Sequence, residues 1–256
     1  MKNNDNNALT YLQSRKSGIA TKKKFVTDYG TFNMYHRKDT ADYRLCRGVC
    51  SVGKNSGEYF RMFDENVLEM LSKRHVWLDL GAHIGAFSIR VSTQFECVVW
   101  AYEAYYPNFT FLVSNVRMNG FMDIHMFNEA VVPGVGEGIV KFYTAPISSG
   151  SGTLLKLRGR SCVDVVSIGF DTLIGHTGAE CVKMDIEGAE YDILMNSKKL
   201  DRIRLLLLEY HAGKLRDSYS LEKYHNILEL LKSKFDYVTD NVITGTPRNF
   251  CMIAYK

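Results

Sequence analysis

Two periods share this chain. From His75 onward, apolar runs of strand length alternate with stretches whose apolar positions recur every three to four residues. The runs at 75–80, 97–103, 123–128, 181–185 and 203–210 predict strands. The stretches near 85–94, at 107–119, from about 189 and at 219–234 predict helices, with Pro107 at an early helical position. Run 203–210 is almost wholly apolar, as a central parallel strand should be. The chain closes on strands near 235–241 and 249–255, joined through the turn-like Thr244-Gly245-Thr246-Pro247. Repeated strand–helix units predict an α/β fold: a doubly wound, mostly parallel seven-stranded sheet with an antiparallel edge strand.

Before His75 the pattern is weaker. Lys24–Thr27, Thr31–Tyr35 and Arg44–Val49 read as short strands. Residues 61–73 read as a helix with Met62, Phe63, Val67, Leu68 and Leu71 on one face. Residues 129–168 are less regular, with strand-like Ile139–Thr144 and a hydroxyl-rich loop, Ser148–Thr153, able to act as a lid. Three parts follow: a flexible basic tail over 1–24, a β/α extension over 25–74 that packs on the core, and a nucleotide-binding domain over 75–256.

Charge separates these parts. The net charge is +4, yet residues 1–24 alone hold six basic residues and one acid, so the body from 25 onward sums to −1. A long phosphate backbone is therefore a poor partner for the body, though a local basic patch is compatible with it. No apolar run reaches membrane-spanning length and the start is polar, which predicts no membrane span and no secretory signal. Three of the six cysteines (Cys97, Cys181, Cys251) fall inside expected strands, as reduced cysteines pack in a cytoplasmic protein. Cys46-x-x-x-Cys50 has metal-like spacing but no second pair or histidine cluster beside it.

Two segments carry chemistry. In Val76-Trp-Leu-Asp-Leu-Gly-Ala-His-Ile-Gly85, a buried strand passes through a glycine turn into a helix. The spacing is Gly-x-x-x-Gly, not that of dinucleotide enzymes. Asp79 would repel a pyrophosphate but suits a cofactor bearing an ammonium group, as S-adenosylmethionine does. Glu103 lies about 20 residues beyond Gly81, where an acid that holds ribose hydroxyls is expected. The second segment, Cys181-Val-Lys-Met-Asp-Ile-Glu-Gly-Ala-Glu190, crowds Lys183, Asp185, Glu187 and Glu190 at a strand end. In open α/β sheets that rim is the ligand crevice.

Together with Tyr102-Glu-Ala104 and the following Pro107, Asn108, Asn115 and Asn119, these motifs resemble the FkbM-type methyltransferases over roughly residues 75–212. That family is S-adenosylmethionine-dependent, and many members methylate oxygens of sugars or glycosylated products. His83 stands where the family usually has Asn, and Ala104 where it usually has Pro. The resemblance implies that Asp79, Gly81, Ala82, His83 and Gly85 approach the methionine part of the cofactor. It implies that Glu103, beside Ala104, accepts from the ribose, that Asn128, Glu129 and Ala130 lie by the adenine, and that Asp185 and its neighbours face the acceptor.

A sugar hydroxyl needs help to lose its proton. Strand 203–210 leads into Glu209-Tyr-His211, beside the strand ending at Asp185 in the usual order of this fold. Two arrangements stay open. Asp185 and Glu209 could hold a divalent ion such as Mg²⁺. Alternatively, His211 or an acid (Asp185, Glu187) could be the base, with Lys183 or Lys214 orienting the substrate. The expected acceptor is a small molecule or glycan. Methylation of RNA or protein, or a non-catalytic nucleotide-binding subunit, are the alternatives.

Overall fold

The computed structural model describes residues 20–38, 40–50, 57, 59–71, 74–144, 152–154, 160–211, 221–242 and 249–256. Most of the expected tail, residues 148–151 of the expected lid, Lys214 and the Thr244–Pro247 link lie outside these residues.

Seven strands form the main sheet: β3 (Val76–Leu80), β4 (Val98–Tyr102), β5 (Ile124–Phe127), β10 (Cys181–Met184), β11 (Leu205–His211), β12 (Tyr237–Val242) and β13 (Asn249–Tyr255). Their order is β12-β13-β11-β10-β3-β4-β5. All neighbours from β11 to β5 pair parallel, and β13 runs antiparallel to both β11 and β12. The antiparallel strand is thus second from the edge, not the edge strand expected. An antiparallel neighbour needs only a short link, so β13 turns back directly from β12 and inserts beside β11.

The sheet separates two cores, and strand alternation assigns side chains to them. Trp77, Cys181, Leu205, Leu207 and Ile253 face one core, with helices α3 (Ala86–Phe95) and α4 (Tyr106–Met118). Leu78, Leu80, Val182, Leu206 and Leu208 face the other, with α5 (Phe170–Thr177), α6 (Glu190–Asn196) and α7 (Leu221–Lys234). Leu205 to Leu208 are wholly buried, which explains the unbroken apolar run.

The N-terminal extension packs on the first core. Strands β1 (Ala20–Thr27) and β2 (Gly30–Arg37) form a hairpin, so the end of the expected tail, residues 20–24, is strand. Two asparagines one turn apart, Asn115 on α4 and Asn119 at its C-cap, dock it by imitating a neighbouring strand. Asn119 accepts from the Asn33 amide at 2.7 Å and donates to its carbonyl at 2.7 Å; Asn115 does the same for Tyr35 at 2.6 and 3.1 Å. The expected strand Arg44–Val49 is instead helix α1 (Asp42–Val49), because its buried positions, Asp42, Cys46 and Val49, share a helical face. The expected helix 61–73 is split into a 3₁₀ turn, Phe60–Met62, and α2 (Glu65–Met70). Asp64 makes the break: its Oδ1 caps the Val67 amide at 2.9 Å.

Residues 129–168 hold a second sheet rather than irregular chain: β6 (Ala130–Val132), β7 (Glu137–Thr144), β8 (Gly152–Thr153) and β9 (Ser161–Gly169), ordered β6-β9-β7-β8. Ile139, Val163 and Val166 are exposed on it, which blurs the apolar–polar alternation that marks a strand.

Candidate active site

A cavity of about 750 Å³ opens at the carboxyl rim of the main sheet. The glycine turn after β3 forms one wall. Gly81 has φ +77°, and a Cβ there would overlap the carbonyl of Asp185, so glycine is required for β10 to pass close by. Gly85 serves packing instead: a Cβ would press on Leu112 of α4, and the residue does not line the cavity. His83 adopts φ +53°, a left-handed conformation that suits Asn well, in keeping with the family's usual residue.

Glu103 lines the cavity close to where β4 ends. Its Oε2 accepts from the His83 amide at 2.8 Å and its Oε1 from the Tyr105 amide at 2.8 Å. Burial raises its pKa, against the pull of His83 and these amides. Asn108 Nδ2 also donates to Oε1 at 3.4 Å, so Oε2 is the oxygen with acceptor capacity left for a ribose hydroxyl. Glu129, Ala130, Val131, Phe142 and Leu154 continue the wall. Asn128 does not line it; its side chain donates to the carbonyls of Glu103 at 2.8 Å and Ala104 at 3.0 Å and so shapes this corner from behind.

Asp79 sits deeper than these residues. It is fully buried and does not line the cavity. Ser88 donates to its Oδ2 at 2.6 Å, and Lys183, its register partner on β10, places Nζ 3.3 Å from its Oδ1. Its charge is met by this lysine. The Oδ1 contact is an ion pair without hydrogen-bond geometry.

Lys183 is occupied in turn. Its Nζ donates to the Gly81 carbonyl at 2.8 Å and lies 3.7 Å from Asp185 Oδ2. Burial opposes its charge, but Asp79 and Asp185 outweigh burial and hold the ammonium above its ordinary range. It joins the glycine turn to the acids; it is not a free hand for substrate.

The opposite wall is acidic. Asp185, Glu187, Glu209 and His211 all line the cavity, as expected from their strand ends. His211 is buried, with Nδ1 2.9 Å from Glu190 Oε1 and Nε2 3.5–3.7 Å from Glu187, Glu209 and Asp185. Burial disfavours its charge, yet Glu190, Glu209 and Asp185 prevail and push its pKa well above the ordinary value. The surrounding acids thus favour the protonated ring, the form that cannot accept a further proton.

Tyr59 escaped the sequence reading, and Glu190 was named in the charged cluster without a role of its own. Glu190 accepts from the Ile186 amide at 3.2 Å and the Gly188 amide at 3.0 Å, fastening the turn while it orients His211. Only its place at a helix start hinted at this. Tyr59, from the N-terminal extension, sets its hydroxyl 3.1 Å from Asp185 Oδ2 and 3.2 Å from Glu209 Oε2. No local motif marks it. The cofactor turn is likewise tied to the extension. Arg37 pairs with Asp42 at 2.8 Å and donates to Asn108 at 2.7 Å, and His83 lies 3.4 Å from Asp42. Burial works against the Asp42 charge, but His83 and Arg37 hold its carboxyl well below the usual carboxylate range.

A parallel α/β sheet with a glycine turn and a buried acid at neighbouring strand ends defines a Rossmann-like enzyme that takes a nucleoside-bearing cofactor. The family follows from comparison. A model described as the methyltransferase FkbM domain matches residues 79–238, more than half of the chain, and the chain belongs to this family of S-adenosylmethionine-dependent methyltransferases. No curated protein matches it. Among solved structures, precorrin-6y C5,15-methyltransferase from Geobacter metallireducens GS-15 is 14% identical, with 76% of this chain and 90% of that one covered at a TM-score of 0.43. A fibrillarin/Nop5p complex is 13% identical, with 72% and 73% covered and a TM-score of 0.47. M. jannaschii TYW2 in complex with AdoMet is 14% identical, with 93% and 86% covered and a TM-score of 0.43. No helix among the described residues is long and apolar enough to cross a membrane.

Proposed function

We propose that this chain transfers a methyl group from S-adenosylmethionine to a hydroxyl oxygen of a sugar or glycosylated small molecule. One observation carries the reading: Asp185 and Glu209 line the same cavity as Glu103, so hydroxyl-accepting acids and a ribose-type acid share one space. Gly81, Ala82, His83, Glu103, Ala104, Glu129 and Ala130 are the residues that would hold the cofactor, which supplies an electrophilic methyl group when bound.

The chain's own groups then do the rest. Asp185 or Glu209 accepts a hydrogen bond from the acceptor hydroxyl, aims its oxygen and takes its proton as the new carbon–oxygen bond forms. Tyr59 bridges these two carboxylates and holds their spacing. Protonated His211 and Lys183 balance the negative charge that four nearby acids would otherwise accumulate. Glu187, at φ +60°, is held in a left-handed conformation that keeps its carboxylate beside His211.

A second reading has an observation of its own. Single ligand atoms from Asp185, Glu209 and His211 lie within 4.8 Å of one another, a spread compatible with one divalent ion. The imidazole makes this set a better match for a transition ion than for Mg²⁺, which favours oxygen ligands. Six free cysteines support a reducing, cytoplasmic setting.

The test is a mass-spectrometric screen for methyl transfer across sugars, glycosylated small molecules, RNA and peptides, run with and without chelator. A methylated sugar hydroxyl formed in chelator supports the carboxylate mechanism. Turnover lost in chelator and restored by Mn²⁺ favours the ion. Transfer only to RNA or peptide, or to nothing despite cofactor binding, overturns the carbohydrate assignment.

A further inference from the structure

The cavity is electrostatically lopsided. On its sheet side both cations are already matched: Lys183 by Asp79 and Asp185, His211 by Glu190 and three further acids. On the side built by the N-terminal extension, Arg44 of α1 and Arg61 of the 3₁₀ turn also line the cavity. Neither guanidinium makes a hydrogen bond or an ion pair among the described residues. Both side chains belong to exposed residues, so an incoming group can reach them.

Their supports are rigid. Arg61 lies two residues after Tyr59, whose hydroxyl touches Asp185 and Glu209. Arg44 lies two residues after Asp42, which is fixed by Arg37 and faces His83. Two guanidinium groups thus line the same cavity as the acceptor acids. Among the described residues, a neutral sugar leaves both without a counter-charge. A phosphate offers the oxygen pairs that guanidinium groups match in two-pronged hydrogen bonds.

We propose that Arg44 and Arg61 form an anion subsite of the acceptor pocket, and that the acceptor is a phosphorylated sugar, either a sugar phosphate or a sugar nucleotide. The inference rests on the acceptor-side reading of Asp185 and Glu209. A concave cavity set in a body of net charge −1 favours such a small ligand over a polynucleotide, which would need an extended basic track.

The experiment is calorimetry on the full chain saturated with S-adenosylhomocysteine. Glucose, glucose 1-phosphate, UDP-glucose and a short RNA are titrated into wild type, Arg44→Gln, Arg61→Gln and the double variant. Phosphorylated sugars should bind at least about tenfold more tightly than glucose, and the double variant should lose that advantage while its melting temperature stays unchanged. Added salt should weaken the phosphorylated ligands and leave glucose untouched. Equal affinity for glucose and glucose 1-phosphate overturns the subsite. So does tighter binding of RNA than of either phosphorylated sugar. A loss of S-adenosylhomocysteine affinity in the double variant, with sugar binding unchanged, would assign the arginines to the cofactor carboxylate instead. The parent reading is checked separately: if wild type gives no heat with S-adenosylhomocysteine, the methyltransferase assignment fails. Phosphate binding without cofactor, abolished in the double variant, would still uphold the anion subsite.

Discussion

The turn after β3 and the turn after β10 are built alike, and they do opposite things. Each follows a buried parallel strand, each carries an aspartate at the strand end, and each uses glycine to enter a helix. Asp79 falls inside β3, opposite Lys183 in the ladder, and is wholly buried. Asp185 falls one residue beyond the end of β10, keeps about a quarter of its side-chain surface exposed and faces the cavity. Two residues of register separate a carboxylate that fastens the sheet from one available for chemistry. A motif does not carry its role; position relative to the last ladder bond does.

The comparison can be broken most severely on the exposed side. Asp185→Asn should lower turnover by about 10²–10⁴-fold, the usual weight of a general base. Cofactor affinity should stay close to wild type. Steady-state kinetics beside S-adenosylhomocysteine titrations would read both, and full activity would remove Asp185 from the mechanism.

The buried side should fail differently. Asp79→Ala strands Lys183 without its nearest carboxylate, at a cost of about 3–5 kcal/mol. A large fall in melting temperature is expected, with any residual folded fraction still able to turn over. A variant as stable as wild type would contradict the structural role given to Asp79.

Glu103→Gln tests the cofactor wall between these extremes. Weaker hydrogen bonds to the ribose should raise the dissociation constant for S-adenosylmethionine by about 10- to 100-fold. Unchanged calorimetric affinity would withdraw Glu103 from the cofactor.

The acid cluster adds a pH signature. His211 has its folded pKa raised, so its stabilising contribution is complete below the ordinary histidine value and is lost as pH rises through the raised one. Wild type should therefore lose melting temperature from above about pH 6.5 into the alkaline range. His211→Gln should flatten that decline. Parallel curves for the two proteins would show that the imidazole is not held protonated.

The smallest effect concerns the extension. Asn119→Ala removes two hydrogen bonds that dock β2 and should cost about 1–2 kcal/mol. Faster amide exchange at Asn33, with the main sheet unaffected, is the measurement.

Much of this was legible in the chain. The seven main strands and four of the five described α-helices after His75, all but α5, follow from periodicity, because parallel strands buried on both faces read as unbroken apolar runs. The rim acids Asp185, Glu187 and Glu209 follow from strand ends, because loops there converge on one crevice. Local pattern misassigned Arg44–Val49, where helical and strand spacing coincide over a few residues. It also passed over β9, whose outward apolar residues hide the alternation.

What only the tertiary structure decided is who meets whom. Tyr59 reaches Asp185 across 126 positions of sequence, and Asn119 reaches Asn33 across 86. The charge state of His211 depends on four carboxylates that come from two different strand ends, and the fate of Asp79 depends on the strand beside it. Periodicity records which face of an element is buried. It carries no information on which partner is waiting there, and at this site the partner sets the proton, the charge and the role.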